Sequence, residues 1–436
     1  MDALPWRDAW HDALYAAGRG FYVTRGGPAE HFTTATHGVT GAALAEALLR
    51  LWLREHDGLP AVVVDVGAGR GELATHLLRA LDDVSPVEGS LPDTPDPVEW
   101  AVSPTDDGWK VPTRPGGDDD EWAVSPTGDG WKVPTRRGGE DGDGWGVPTR
   151  PGEDVEWAVS PTDDGWKVPT RLGGEDGDGW GVPTRPGEDI EGAVSPTRVV
   201  AVDVVERPAG LDERIGWMRS PGGAALPDEL AGLSDALVIA HEWLDVVPCT
   251  VAQVDTGGTT RTVLVDPRTG EETLGPEPSD ADRHWAAAHW PATTPGDRIE
   301  VGLSRDEAWA DLVARVDSGL LVAVDYGHTR AERPSGGTLT AYRRGVQGDP
   351  VPDGTMDLTA HVAVDSLDAD EVGRQRDLLR RLGVRGQTPP HALASSDPLA
   401  YLRALERAGA EAELIRPAGF GDFWWAVKRV AGRDVT

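Results

Sequence analysis

A strand, a glycine-rich turn and a helix follow one another around residue 65, and this order constrains the fold more than any other feature of the sequence. Residues 61–66 (AVVVDV) form a continuous, mostly β-branched run, which is typical of a strand buried on both faces of a parallel sheet. The turn GAGRG follows, and residues 72–81 (ELATHLLRAL) have helical periodicity. The sequence therefore predicts the first half of a βαβ unit.

A repetitive segment then interrupts this unit. EWAVSPTDDGWKVPTR begins at Glu99, and near-copies begin at Glu121 and Glu156, with a broken copy at Glu191. Residues 85–197 are rich in Pro, Gly and Asp and poor in aliphatic side chains, so burial cannot offset their chain entropy and we predict disorder. The copies at Glu121, Glu156 and Glu191 are 35 residues apart, a spacing that also fits a solenoid repeat. Eight tryptophans make partner binding through this insertion an alternative.

The second buried strand of the unit comes only after the insertion, in RVVAVDVVERP at residues 198–208. A doubly wound sheet tolerates a long insertion between helix and strand because loop-closure entropy grows slowly with length. Alternating strands and helices predict one α/β domain over residues 61–84 and 198–436, with a mostly parallel sheet and helices on both faces. Residues 1–60 are predicted to form a cap of helices and loop over the cleft. Further predicted strands are 236–243, a hairpin over 250–266, 320–327 and 423–430, and further helices are 304–316, 368–382 and 397–409.

Composition excludes several classes of partner. The net charge is −33, and both the insertion and the remainder are acidic, so nucleic acid and anionic membrane surfaces are not expected to bind. The single cysteine, Cys249, rules out an internal disulfide and a cysteine zinc site, and we predict no metal. No run of 18 apolar residues and no signal-peptide pattern occur, which predicts a cytoplasmic protein.

The glycine turn points to the cofactor. A dinucleotide fingerprint requires glycines at 67, 69 and 72, but position 72 is Glu72. The pattern present is acid-x-Gly-x-Gly-x-Gly, formed by Asp65, Gly67, Gly69 and Gly71. It resembles the first motif of class I S-adenosylmethionine (SAM)-dependent methyltransferases, in which the cofactor lies over the turn.

A second carboxylate is expected at the end of the next strand, where doubly wound folds bind ribose hydroxyls. Glu206 closes the apolar run of that strand and is our first choice. Asp203 is the alternative. Together with the glycine turn, either acid favours SAM over a nicotinamide cofactor.

Two further acids follow the third buried run, in HEWLDVVP at residues 241–248. Glu242 and Asp245 are three residues apart just after a strand end, so both side chains can face one cleft. Two carboxylates there would orient a guanidinium by paired charge-assisted hydrogen bonds. The alternative is that Asp245 caps a turn and Glu242 is solvated.

Several blocks together resemble the MidA-like methyltransferases, relatives of the mitochondrial complex I assembly-factor arginine methyltransferase. They are, in chain order, FYVTRGGPAEHFTTATH, VVDVGAGRGEL, VVERP, AHEWLDVVP, AVDYGHTRAERPSGGTLTAYRRG and GTMDLTAHVAVDSL. The resemblance implies a class I methyltransferase fold with added helices and a hairpin around an acceptor cleft. It also implies SAM as cofactor and a protein substrate, with arginine methylated in the mitochondrial branch.

The resemblance assigns roles to individual positions. Asp65 and the three glycines match the family's cofactor turn, and Glu206 matches its ribose acid. Glu242 and Asp245 match an N-E-x-x-D-x-x-P block, and Phe32 and Thr34 match a D-F-x-T block. His241 and His31 replace the usual Asn and Asp of these blocks, and His37 stands where an acid is common. Asp325 and Tyr326, at another strand end, are further cleft candidates, and His361 is either a base or a structural histidine.

The leading hypothesis is a SAM-dependent methyltransferase acting on a protein side chain. A SAM-binding assembly factor or scaffold with vestigial catalysis is one alternative. A small-molecule methyltransferase is the other.

Overall fold

The structure, a computed structural model, describes residues 3–24, 35–84 and 197–432. The predicted disorder of residues 85–197 and the cleft candidates Phe32 and Thr34 lie outside the described residues, apart from Thr197. All described residues belong to one compact unit. The described helices are α1 (Trp6–Tyr15), α2 (Phe21–Thr24), α3 (Gly38–Leu53), α4 (Glu72–Asp83), α5 (Asp280–His289), α6 (Leu303–Ala314), α7 (Gln375–Arg381), α8 (His391–Ser396) and α9 (Pro398–Leu414).

The strands of the described residues form four separate sheets, of which the seven-stranded one is central. The strands are β1 (Leu4–Pro5), β2 (Val62–Val66), β3 (Arg198–Asp203), β4 (Ile215–Arg219), β5 (Ala236–His241), β6 (Thr250–Val254), β7 (Thr260–Val265), β8 (Glu272–Leu274), β9 (Arg298–Val301), β10 (Gly319–Asp325), β11 (Gly327–His328), β12 (Thr340–Arg343), β13 (Val346–Gly348), β14 (Asp357–Thr359), β15 (Val362–Ala363), β16 (Glu371–Arg374) and β17 (Trp424–Val430).

The central sheet has the strand order β16-β17-β10-β5-β2-β3-β4. Strands β10, β5, β2, β3 and β4 are parallel, whereas β17 and β16 are antiparallel to their neighbours. The chain passes from β2 to β3 and β4 on one side and then returns to β5 and β10 on the other. The order of the strands thus reverses between β2 and β5, and this is where open α/β sheets bind ligands.

The interrupted βαβ unit closes across the insertion. Strands β2 and β3 pair directly in parallel, with Asp65 opposite Ala201, and α4 lies between them in the chain. Thr197 Oγ1 donates a hydrogen bond of 2.7 Å to the Pro60 carbonyl at the start of the pair. The prediction that residues 198–208 complete the unit begun at residue 61 is therefore confirmed.

Helices cover the sheet on both faces, as predicted. Side chains of β5 alternate, so Leu237 and Ile239 pack into one core with α3, α4, α7 and α9. Val238 and Ala240 point to the other face, where α6 and apolar residues of the 226–233 segment pack. Each central strand is buried along its length because it is covered from both sides, which explains its continuous apolar sequence.

The predicted hairpin forms from β6 and β7, which pair antiparallel around the turn at residues 255–259. Helix α1 packs Trp6 and Trp10 against Val251 and Val263 of this hairpin. The indole of Trp10 donates a 3.1 Å hydrogen bond to the Leu358 carbonyl. The N-terminal helix is thereby joined to the hairpin and to β14.

One predicted helix is partly wrong. Within residues 368–382, helix begins only at Gln375, because Glu371–Arg374 form β16 and pair with β17. The free edge of β17 offers unpaired backbone groups, and the Val372-Gly373 pair has low helix propensity. No helix of the described residues is long and apolar enough to cross a membrane.

Candidate active site

The carboxyl ends of β2 and β5 open into a cavity of about 210 Å³. The glycine turn after β2 forms one wall, and Glu242 and Asp245 after β5 form another. Residues of β14 and the N-terminal segment close it further. A second cavity of about 90 Å³ adjoins it and shares Gly67, Gly69 and Glu242.

The glycine turn has left-handed backbone at all three glycines, with φ of 76° at Gly67, 59° at Gly69 and 80° at Gly71. A Cβ at Gly67 would lie 3.2 Å from the Cβ of Trp243, and a Cβ at Gly71 would lie 2.8 Å from Leu211 Cδ1. The backbone angle therefore disfavours a side chain at all three positions, and at Gly67 the space is tight as well. The turn presents bare backbone to the cavity, as the sequence pattern predicts.

Asp65 is the penultimate residue of β2, just before this turn. Its Oδ2 accepts a 3.1 Å hydrogen bond from the Ala74 amide in the first turn of α4. Burial raises the pKa of Asp65 to about 7. Asp65 therefore ties the glycine turn to the helix and also lines the cavity.

The structure places Asp203, rather than Glu206, beside the glycine turn. Strand β3 ends at Asp203, whose Oδ2 accepts a 2.8 Å hydrogen bond from the Gly69 amide and whose Oδ1 accepts one from Val205 at 3.1 Å. Burial raises the pKa of Asp203 to about 6, and the residue lines the second cavity. Glu206 lies beyond the strand end, its side chain is 86% exposed, and its charge faces Arg219 at 3.5 Å. The geometry thus favours the alternative acid, because the strand ends three residues earlier than its sequence suggests.

Glu242 and His241 lie side by side at the end of β5. Glu242 has a φ of 52°, which is uncommon for a residue other than glycine and costs backbone energy, as at many functional sites. Its amide donates a 2.8 Å hydrogen bond to the Val324 carbonyl. His241 Nδ1 lies 3.3 Å from Glu242 Oε1, and both side chains line the cavity. Among the described residues, no hydrogen-bond partner exists for His241 Nε2 or Glu242 Oε1, although both atoms are buried.

Asp245 faces the same cavity from one turn further along. Its Oδ2 accepts a 2.7 Å hydrogen bond from Thr359 Oγ1, while its Oδ1 is buried without a partner in the described part of the chain. Burial and the neighbouring Glu242 raise the pKa of Asp245 to about 6. The two acids predicted to share a cleft therefore do so.

Asp357 is a cavity acid that the sequence reasoning did not single out. It lies in β14 and accepts a 2.6 Å hydrogen bond from the Tyr22 hydroxyl, and burial raises the pKa of Asp357 to about 8. Tyr22, Tyr342 and Thr359 line the same wall. The sequence block GTMDLTAHV contains this acid and is part of the family resemblance. No residue spacing in the sequence indicated that Asp357 would lie near Asp245.

Asp325 does not line the cavity with the other cleft candidates. It is buried behind the wall, where its Oδ2 accepts hydrogen bonds from the amides of Leu244 (2.9 Å) and Asp245 (3.3 Å). Burial and the charge of Asp245 raise the pKa of Asp325 well above its usual value. Its position makes it a support for the acid-bearing loop.

Tyr326 lines the cavity and is 39% exposed. Its ring stacks on that of His361 at 6.0 Å and contacts Phe423 at 4.2 Å between centroids. His361 does not line the cavity. This position favours a structural role for His361 over that of a base.

The cavity wall is strongly acidic. Its described lining includes the carboxyl groups of Asp65, Glu72, Glu242, Asp245 and Asp357, and neither arginine nor lysine. The raised pKa values of Asp65 and Asp357 leave these two groups substantially protonated near pH 7. Three of these groups, on Glu242, Asp245 and Asp357, come from outside the glycine turn and α4. Such a wall attracts a cation and repels an anion such as a phosphate.

Comparisons with known proteins agree with this geometry. Residues 200–383 match a family model described as "Putative S-adenosyl-L-methionine-dependent methyltransferase". The chain is a SAM-dependent methyltransferase. SAM is accordingly its cofactor, as the glycine turn predicted. The family match begins at residue 200, within β3, which is the first strand after the insertion.

Two solved structures from Burkholderia thailandensis have a similar fold. One is a superfamily member described as a "likely methyl transferase" bound to S-adenosyl-homocysteine, and the other is a high-resolution native structure of an uncharacterized protein of the same superfamily. The chain is 19% identical to each with a TM-score of 0.56, over 98% and 99% of this chain and 87% and 88% of theirs. No curated protein matches the chain at a significant level.

The residues present fit this cofactor. The second cavity lies between the ends of β3 and β4 and the glycine turn, with Asp203, Leu226 and Trp243 in its wall. A carboxylate beside an apolar pocket suits a ribose joined to an aromatic base. The bare backbone at Gly67 and Gly69 leaves room between this pocket and the acidic cavity, which both glycines also line.

Proposed function

We propose that this methyltransferase acts on the guanidinium group of an arginine side chain in a protein. The observation that carries the proposal is that Glu242 and Asp245 both line the cavity, while one carboxylate oxygen of each is buried without a hydrogen bond among the described residues. These oxygens are Oε1 of Glu242, which lies 3.3 Å from His241 Nδ1, and Oδ1 of Asp245. Buried carboxylate oxygens are costly unless a donor satisfies them. A guanidinium offers five N–H donors in one plane and can satisfy two acids at once.

The two cavities would bind different parts of the reacting complex. Asp203 and the apolar pocket around Leu226 would hold the adenosine of the cofactor, and the glycine turn would lie along its amino acid part. When bound, SAM supplies an electrophilic methyl group on its sulfonium. Glu242 and Asp245 would hold the acceptor on the opposite side and keep one of its nitrogens facing that group.

The acids also account for the proton. A guanidinium nitrogen that gains a methyl group must release one proton for the product to keep a single positive charge. Asp245 is suited to accept it, because burial and Glu242 raise the pKa of this carboxyl to about 6. Thr359 holds the other carboxylate oxygen and fixes the orientation of the acid.

Two observations support a protein as the source of the acceptor. Tyr326 is part of the cavity wall and is also exposed, so the cavity reaches the surface there. The resemblance to MidA-like methyltransferases points in the same direction.

The test is transfer of label from methyl-tritiated SAM to proteins of a lysate from cells that lack the gene. We expect label in a defined protein band, and mass spectrometry should find a gain of 14 or 28 Da on arginine. Label in the low-mass fraction would favour a small-molecule methyltransferase. Binding of S-adenosyl-homocysteine without any labelled product would favour a scaffold, and label on a residue other than arginine would contradict the proposed acceptor.

The role of the acids is tested by Asp245→Asn. Loss of a preorganised charge at a reacting group typically lowers kcat by about 100- to 1000-fold. We expect a fall of that order, with the affinity for S-adenosyl-homocysteine unchanged within about twofold. Glu206→Gln is the matched control, because this exposed acid lies outside both cavities and should leave the transfer rate unchanged.

A further inference from the structure

Arg305 is a fully buried arginine behind the acidic cavity. It lies in the first turn of α6 and is 1% exposed. Its guanidinium donates three hydrogen bonds, all to backbone carbonyls: Nε to Val247 (3.1 Å), Nη1 to His361 (2.9 Å) and Nη2 to Asp245 (2.8 Å). Its Cζ lies 5.6 Å from the ring centroid of Trp10. Burying a charge costs free energy, so we expect these hydrogen bonds to serve a structural role.

The three carbonyls belong to two different segments that each carry cavity acids. The acid loop, residues 242–248, contains Glu242 and Asp245. The opposing wall, residues 357–361, contains Asp357 and Thr359. Arg305 is hydrogen-bonded to both segments and so links them.

Other contacts also join the two segments or hold one of them in place. The Ala360 amide donates a 3.2 Å hydrogen bond to the Asp245 carbonyl, the same oxygen that accepts from Arg305. Thr359 Oγ1 bonds the Asp245 carboxylate at 2.7 Å. The wall is held from behind by the His361 amide, which donates to Thr338 Oγ1 at 2.8 Å. Arg305 links the backbones of both segments through a single rigid group.

We propose that Arg305 is a positioning residue for the acceptor site. Its guanidinium holds the acid loop against the opposing wall by hydrogen bonds to three of their backbone carbonyls, and we call this arrangement the clamp. It touches neither cofactor nor acceptor. Lysine cannot replace it, because an ammonium is a compact point charge and cannot reach three carbonyls in the fixed geometry of a guanidinium. The link to the acceptor rests on the proposed function, whereas the clamp itself does not.

The test compares Arg305→Lys with Arg315→Lys in the full-length protein. Arg315 caps the same helix and also donates to carbonyls of a distant segment, at Pro227 (2.7 Å) and Leu230 (2.9 Å), but it lies away from the cavity. Backbone hydrogen exchange is followed by mass spectrometry in peptides that cover residues 243–248 and 357–362. Binding of S-adenosyl-homocysteine and transfer of label from tritiated SAM are measured in parallel.

We expect Arg305→Lys to exchange at least about tenfold faster in both peptides, whereas Arg315→Lys keeps the parent rates there. Arg305→Lys should lower the transfer rate by about 10- to 100-fold, with KM for SAM and the affinity for S-adenosyl-homocysteine within about twofold of the parent. Arg305→Gln, which keeps a polar donor, serves if the lysine variant does not fold.

Unchanged exchange in either peptide would overturn the clamp. If activity falls equally in Arg305→Lys and Arg315→Lys, in proportion to lost stability, the residue is merely structural and the proposal is also overturned. If the parent transfers no label at all, the proposed function fails, while hydrogen exchange still decides whether the clamp exists.

Discussion

At the scale of single residues, the cofactor site depends on which acid ends β3. Asp203 accepts a hydrogen bond from the Gly69 amide and lines the second cavity. Glu206, three residues later, is exposed to solvent. Asp203 lies within the apolar run and Glu206 lies at its end, so the sequence could not separate them. The difference lies in where the strand stops pairing with β4, whose last partner is Asp203.

This placement predicts opposite results for two similar substitutions. Asp203→Asn should weaken binding of S-adenosyl-homocysteine by about 10- to 100-fold, because a hydrogen bond to a charged group contributes roughly 1.5–3 kcal/mol. Glu206→Gln should change the affinity by less than about twofold. Isothermal titration calorimetry measures both, and a larger loss with Glu206→Gln would restore that residue as the ribose acid.

Asp65 gives a second prediction at this scale, on pH. Its pKa is about 7 in the fold against an ordinary 3.8, so between these values the folded chain holds a proton that the unfolded chain releases. Its contribution to stability is complete below about pH 4 and is lost as pH rises to about 7. Relative to Asp65→Asn, the free energy of unfolding of the ligand-free parent should fall by up to about 4 kcal/mol between pH 4 and pH 8. This estimate uses roughly 1.36 kcal/mol per unit of pKa shift.

Denaturant unfolding at several pH values provides the measurement. Titrating groups that do not interact with Asp65 are common to both proteins and cancel in the difference, whereas His241, Asp203 and Glu72 interact with it. A difference that stays flat from pH 4 to pH 8 would show that the Asp65 carboxyl is ionised throughout.

At the scale of elements, the acid loop after β5 is held from several sides. Asp325 accepts hydrogen bonds from backbone amides of the loop, and Arg305 donates hydrogen bonds to its carbonyls. The Tyr15 hydroxyl donates a further one, of 3.1 Å, to the Val246 carbonyl. These supports come from β10, α6 and α1, which are distant in the chain. A loop fixed in this way keeps its carboxylates at a set spacing, which catalysis requires.

The β2-α4-β3 unit carries the element-scale prediction. Because β2 and β3 pair directly, the insertion is not needed to hold them together. Replacing residues 87–196 by a Gly-Ser linker of about six residues should leave the affinity for S-adenosyl-homocysteine within about twofold and the melting temperature within a few degrees. Thermal unfolding and calorimetry test this, and loss of folding or of cofactor binding would show that the insertion is part of the methyltransferase unit.

At the scale of the whole molecule, charge is the dominant property. The chain carries a net charge of −33, and the cavity lining adds a local cluster of carboxylates at the point where the acceptor would bind. A cationic acceptor is therefore drawn toward the site by a field that salt screens. S-adenosyl-homocysteine has no net charge and should respond much less.

The prediction uses N-acetyl-arginine methylamide as a probe, in the presence of saturating S-adenosyl-homocysteine. Its affinity should fall by about three- to tenfold between 50 and 500 mM NaCl, while the affinity for S-adenosyl-homocysteine changes by less than about twofold. The citrulline analogue has nearly the same shape without the charge and should bind at least about tenfold more weakly. Equal binding of the two probes would contradict a carboxylate-based acceptor site.

The sequence by itself determined the parts of this protein that depend on local pattern. The buried strand, the glycine turn and the helix around residue 65 were predictable, because a run of β-branched residues and three left-handed glycines leave few alternatives. So were the hairpin, the last strand and the identity of the cofactor. Residues 371–374 were not, since their strand pairing depends on the free edge of a distant strand.

Tertiary structure decided which acids meet. Asp245 and Asp357 are more than a hundred residues apart, and only the packing of β14 against the loop after β5 places both in one cavity. It also moved Asp325 behind the wall, separated Asp203 from Glu206 and buried Arg305 between two backbone segments. The physical reason is that strand ends, burial and unpaired oxygens are properties of neighbours in space, which no periodicity along one chain encodes.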